Sequence, residues 1–186
     1  MKMNSKNGIM TFLLVASMGL SLVACGQDKS DHSHDKSTAE NNKKVEVGLS
    51  ISKEKAKQLL SAYIEIKNSL VKTDGSAASE SAKTFFSLAK ESSDELMKEL
   101  ASDAEHIMET SNPSHQRDHF NTLSDNIYKL VKSTTANETI IYRQYCPMAL
   151  NNTGAYWLSA EKEVKNPYFG DMMLHCGSVI ETIEVQ

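Results

Sequence analysis

The sequence predicts a mainly α protein: an antiparallel up-and-down helical bundle with a small β element at its C-terminal end. Three observations carry this expectation. Apolar residues recur at helical spacing in four stretches between Lys53 and Val131. Short breaks separate those stretches, and short connections favour antiparallel neighbours. After Asn137 the helical period gives way to runs rich in β-branched and aromatic residues.

The first helix is expected from Lys53 to Lys72, after Ser52 as N-cap, with Ala56, Leu59, Leu60, Tyr63, Ile66 and Leu70 on one face. "TDGS" breaks it. The second is expected from Ala77 to Lys90, burying Ala78, Ala82, Phe85, Phe86 and Ala89. The third opens at "SSDE", where Ser92 and Glu95 have capping-box spacing, and its stripe is Leu96, Leu100, Ala104 and Ile107. The fourth opens on Asn112-Pro113, a cap followed by proline in the first turn, and carries Phe120, Leu123, Ile127, Leu130 and Val131. Beyond it, "ETIIYRQYC", "AYWLS" and "SVIETIEV" are the expected strands.

The N-terminus is expected to be a targeting leader over residues 1–24. Lys2 and Lys6 precede a largely apolar run from Ile9 to Val23. That run is too short and interrupted for a comfortable membrane span of about 20 residues. It ends in Leu22-Val23-Ala24-Cys25, which resembles the lipobox of bacterial lipoproteins. The resemblance implies cleavage before Cys25, a lipid on its sulfur, and attachment to a membrane of the cell envelope. Residues 25–44 are polar, without a large apolar side chain, so they read as a flexible tether. Residues 45–186 then form one domain, long enough to bury a core. The chain's net charge of −4 becomes −6 once Lys2 and Lys6 leave with a leader that holds no acid. An acidic chain without a basic stripe argues against a nucleic-acid partner.

Most of the remaining chemistry sits between Tyr145 and Gly177. This segment holds Cys146 and Cys176, three of the nine methionines and the only Trp. Cys146, Pro147 and Met148 place a thiol and a thioether together; Met172, Met173 and Cys176 bring sulfur back after a turn at Asn166-Pro167. Soft sulfur ligands select Cu(I), and thiolates also take Zn(II); the methionines tip the balance towards copper or silver. A disulfide accounts for the same two cysteines in an exported protein. Closing a loop of this size would contribute roughly 3 kcal/mol or more. The two can coexist as a pair that is oxidised without metal and reduced with it. Met residues are also ordinary core fillers.

Histidines offer further donors. His115 and His119 are spaced i, i+4 on the fourth helix, so they share a face, and His119 precedes the core residue Phe120. His106 lies off the stripe of the third helix. A strand-like backbone would turn His175 away from Cys176. His32 and His34 sit in the polar tether. No Gly-rich phosphate loop, Gly-x-Ser-x-Gly, His-Glu-x-x-His or CxxC occurs, and no enzyme activity is expected. Gly170 and Gly177 are expected to allow turns with positive φ, and Pro167 to stiffen their approach.

"YCPMA", "GAYWLS" and "VKNPYFGDMMLHCG", with "QRDHFNTLSDNIYKLVK" upstream, resemble a bacterial family of domains of unknown function. Its members occur as lone exported proteins and fused to periplasmic adaptor subunits of heavy-metal (copper/silver) efflux systems. The resemblance implies a helical domain with a role in copper handling. The shared pattern includes Cys146, Pro147, Met148, Asn166, Pro167, Tyr168, Phe169, Gly170, Met173, Cys176 and Gly177.

The sequence therefore leads to a lipid-anchored envelope protein that holds copper as Cu(I). Cys146, Met148, Met173 and Cys176 are the expected ligands, with His119 as a neighbour from the bundle and Cys25 as the lipidation site. Such a protein would buffer the ion or pass it to an efflux system. The alternative is a disulfide-stapled interaction domain without metal that docks on an envelope or efflux complex.

Overall fold

The computed structural model describes residues 51–185. Cys25, the leader, the tether with His32 and His34, and the expected domain start at residue 45 lie outside the described residues. Four helices follow one another: α1 (Lys53–Val71), α2 (Gly75–Ala89), α3 (Glu95–Met108) and α4 (Pro113–Thr134). Each packs on the next, and α1 closes the bundle against α4. No helix among the described residues is long and apolar enough to cross a membrane.

The helix starts show which caps win. Ser52 caps α1, its hydroxyl accepting from Lys55 N, and Asn112 caps α4 ahead of Pro113. Two expected starts move. α2 begins at Gly75 rather than Ala77, because the Asp74 carboxylate caps it by accepting from Ala77 N. α3 is capped by Asp94, not Ser92; the Ser92 hydroxyl accepts from Asp94 N instead. A carboxylate both accepts the free amides and answers the partial positive charge of a helix N-terminus, so it outcompetes a hydroxyl nearby.

The expected stripes face inward. Leu59, Tyr63, Ile66, Leu70, Phe85, Leu100, Ile107, Phe120, Leu123, Ile127 and Leu130 are fully buried, and so is Met97, which stands outside the expected stripe. Phe86 and Leu96 are only half-buried at its rim.

The chain then forms β1 (Ile141–Cys146), β2 (Ala155–Ser159) and β3 (Ser178–Ile183), an antiparallel sheet in the order β2-β1-β3. β2 packs on α4 and α1. Tyr63 makes that joint polar as well as apolar: its hydroxyl accepts from Leu158 N at 3.0 Å and lies 2.8 Å from Ser124 Oγ. Phe120 stacks on Tyr63 with centroids 5.2 Å apart and meets Tyr168 at 5.8 Å, so one aromatic column runs from the bundle into the C-terminal region.

Candidate functional site

β1 carries Tyr145 opposite Ser178 of β3, and Cys146 opposite Ala155 of β2. Continuing the β1–β3 register by one residue sets Gly177 opposite Cys146, so Cys176 is the next residue along the returning chain. The close approach depends on glycine. Gly177 has φ +139°, and a Cβ there would stand 2.7 Å from Tyr145 O and 3.0 Å from the Trp157 ring. The result is a Cys146 Sγ–Cys176 Sγ separation of 2.7 Å across 30 residues of sequence. Both cysteines are free thiols in this structure; Cys146 is buried and Cys176 half-buried.

Asn166 holds the returning segment. It is fully buried. Its Nδ2 donates to Cys176 O at 2.7 Å, and its Oδ1 accepts from Tyr168 N at 2.8 Å and Phe169 N at 3.2 Å. Its backbone N–H donates to Leu174 O, and its carbonyl accepts from Gly170 N. Arg117 of α4 fastens the same segment to the bundle: Nε donates to Pro167 O at 2.7 Å and Nη2 to Leu70 O at 3.1 Å and Thr73 Oγ1 at 3.0 Å. Gly170 and Gly177 both take positive φ, as expected.

The Cys176 thiol is pushed up to about 11, first by its hydrogen bond to Cys146, then by burial and by the charge Cys146 would carry. At neutral pH it keeps its proton, so a metal or an oxidant must displace that proton to use the sulfur. The sulfurs already stand a short movement from a bond of about 2.05 Å. A metal shared by two thiolates at about 2.3 Å each, with a tetrahedral angle, needs them about 3.8 Å apart. The donor chemistry thus fits a soft ion, and loading requires the sulfurs to part by about 1 Å.

The expected thioethers are close to this pair along the chain, Met148 two residues after Cys146 and Met173 three before Cys176. Met148 is 46% exposed just beyond β1. Met173 is half-buried, and its carbonyl accepts from Cys176 N at 3.0 Å. Met172 is 77% exposed and lines a separate groove with Arg117, Leu150, Tyr168 and Phe169. His175 lies in the turn before β3, not in a strand; its Nδ1 is 3.0 Å from Val164 O.

His119, expected beside the sulfurs, is placed in a different group. Its ring stacks on His106 of α3 with centroids 4.4 Å apart and meets His115 edge-on at 4.9 Å. Its basicity is lowered, chiefly by burial and then by the other two imidazoles. The i, i+4 spacing found His115 and His119. The sequence places His106 off the stripe of its helix, but its pairing with His119 is not legible there, because that partner lies on another helix.

A second feature went unread. Leu150, Asn151 and Asn152, just past the Cys-Pro-Met-Ala run, have φ of 49°, 58° and 65°. Successive left-handed residues cost about 1–2 kcal/mol each for ordinary side chains. Asparagine tolerates this conformation, so "NN" before Thr153-Gly154 was the available signal. Strain of this kind persists only where the surroundings enforce it and gathers at functional sites.

Residues 59–139 match a family model described as a protein of unknown function (DUF3347). The match runs from within α1 to the approach to β1, so it takes in α2, α3 and α4 and stops short of Cys146 and Cys176. No curated protein and no solved structure matches the chain.

Proposed function

We propose that this is an envelope copper-handling protein in which Cys146 and Cys176 form one redox-gated site. The pair closes as a disulfide when oxidised and holds Cu(I) when reduced. The observation that carries this reading is the contact between two cysteines 30 residues apart, one buried and one half-exposed, each with a methionine within three residues in sequence. Two thiolates satisfy most of the demand of Cu(I), and further donors are better neutral than anionic. Met148 and Met173 supply neutral thioethers on either side. Asn166 and Arg117 hold the returning segment in register, so the second sulfur is delivered rather than found by a mobile loop. Cys25 carries the lipid, residues 25–44 form the leash, and an efflux adaptor is the receiving partner.

Competition between the reduced protein and a coloured Cu(I) chelator tests the reading. Wild type withdraws one equivalent, Cys146→Ser or Cys176→Ser removes tight binding, and Met148→Leu weakens it. Equal withdrawal by wild type and the double cysteine variant would sink it. A second reading, a disulfide-stapled interaction domain, draws on the 2.7 Å sulfur separation and the proton-holding Cys176 thiol. It expects both cysteine variants to lose stability alike without any copper effect. The anchor has its own check: Cys25→Ser should release the protein from the membrane fraction, and a wild type without lipid mass would remove that part of the proposal.

A further inference from the structure

We propose that His106, His115 and His119 form a second metal site, for a borderline divalent transition ion such as Cu(II), distinct from the cysteine pair. The α3–α4 hairpin sets their spacing. Gln116, fully buried, donates through Nε2 to Ile107 O at 3.1 Å, Thr110 O at 2.7 Å and Gly75 O at 2.8 Å. One side chain therefore fastens the end of α3, the connection and the start of α2 to the first turns of α4. Asn112 fixes the α4 start from the other side by accepting from Ser114 N at 3.0 Å. The backbones that carry the three histidines are held firmly, while His106 and His115 are exposed and His119 is half-buried.

Imidazole suits Cu, Zn and Ni ions, and it binds as the neutral base. His115 and His119, one helical turn apart, are a bidentate pair; His106 adds a donor from the neighbouring helix. The surroundings favour a cation. His106 lies in the last turn of α3, where the helix end is partially negative. Asp103 acts electrostatically on His106, and Asp118 on His119.

The rings are stacked rather than converged, and among the described residues no three His, Cys, Asp or Glu side chains stand as a preformed metal shell. Loading the site is a rotation of side chains. Nitrogens at about 2.0–2.1 Å from one ion lie about 3 Å from each other, and rings with centroids 4.4 and 4.9 Å apart reach that spacing by turning about their own torsions. Exposed side chains make such turns in picoseconds to nanoseconds. Three imidazoles leave coordination positions open to water or to an incoming donor, which suits capture and release more than permanent storage.

The test is a Cu(II) titration, read by its visible absorption, of the full chain carrying Cys146→Ser, Cys176→Ser, His32→Ala and His34→Ala. This background removes the Cys146–Cys176 thiol pair and the tether histidines, so the result does not depend on the reading of that pair. One equivalent should bind, and adding His106→Ala or His119→Ala should each weaken binding by about tenfold or more. Equal binding with and without His106 overturns the proposal, because an i, i+4 pair alone then explains the affinity. Absence of stoichiometric binding overturns it too. Should that background fold poorly, oxidised wild type serves: sub-stoichiometric Cu(II) should broaden the ring protons of His106, His115 and His119 together. Broadening confined to His32, His34 or His175 overturns it.

Discussion

The helical part and the sheet part of this domain are built by different kinds of interaction. From Lys53 to Thr134, each helix is stabilised by its own backbone bonds and by a stripe of fully buried apolar residues facing its sequence neighbours. From Ile141 to Ile183 the core contribution is smaller, and specific polar contacts take over. The Asn166 side chain ties three backbone groups, Cys176 O, Tyr168 N and Phe169 N, and Gln144, also buried, donates from Nε2 to the carbonyls of Glu161, Lys162 and Glu163. Left-handed residues at 150–152 and a glycine squeezed against β1 occur here as well. The helices are redundant: many similar contacts share the load. The sheet region is not, and its individual atoms matter because they deliver one cysteine to another.

The two regions can be pulled apart experimentally. The largest effect is expected at their joint. Phe120→Ala removes a buried ring that meets Tyr63 on one side and Tyr168 on the other, and should cost about 3–5 kcal/mol in denaturant unfolding. A loss well below 1 kcal/mol would mean that the two regions are not coupled through this column.

Next is the cross-link. Closing the loop between Cys146 and Cys176 should raise stability by about 3–4 kcal/mol over the reduced protein, read as the shift between oxidised and reduced unfolding midpoints. If reduction leaves the midpoint unchanged, the pair does not form a disulfide. The reduced protein should also react slowly with alkylating reagents at pH 7 to 8. Cys146 is buried, and Cys176 holds its proton up to about 11. Rapid labelling of both thiols in the folded state would contradict this.

Gly177→Ala probes the sheet region alone. Its positive φ and the approach of Tyr145 O should make the substitution cost about 1–3 kcal/mol. The helical circular dichroism should remain while thiol labelling accelerates. A variant that loses helix and sheet together would show that the two regions unfold as one.

The smallest effect lies in the helices. Burial pushes the Asp103 carboxyl up to about 6, against the pull of Thr122, Asn126 and His106. A carboxyl whose folded value is raised favours the native state while protonated and loses that advantage as pH rises from about 4 through about 6. Asp103→Asn should therefore be neutral at pH 4 and stabilising above pH 6. The gain should stay under about 1 kcal/mol, since the side chain is only partly shielded from water. A constant gain at all pH values would point to packing rather than charge.

By itself the sequence determined the helices, their order and the faces they bury. Apolar spacing is a local property, and Ser52 and Asn112 cap as their residue types dictate. It also located the three strands and singled out both cysteines. Where two caps competed within a few residues, at Ser92 and Asp94, spacing alone chose wrongly, because the stronger acceptor won. Tertiary structure decided what meets what. The Cys146–Cys176 contact depends on a register across 30 residues and on a glycine that lets two strands close. The same holds for His119, drawn from the expected sulfur site to His106 by the packing of α3 on α4. A residue's spacing along its own helix or strand records which face it occupies. It carries no record of which other face will cover it, since that choice is made by the summed packing of elements far apart in the chain.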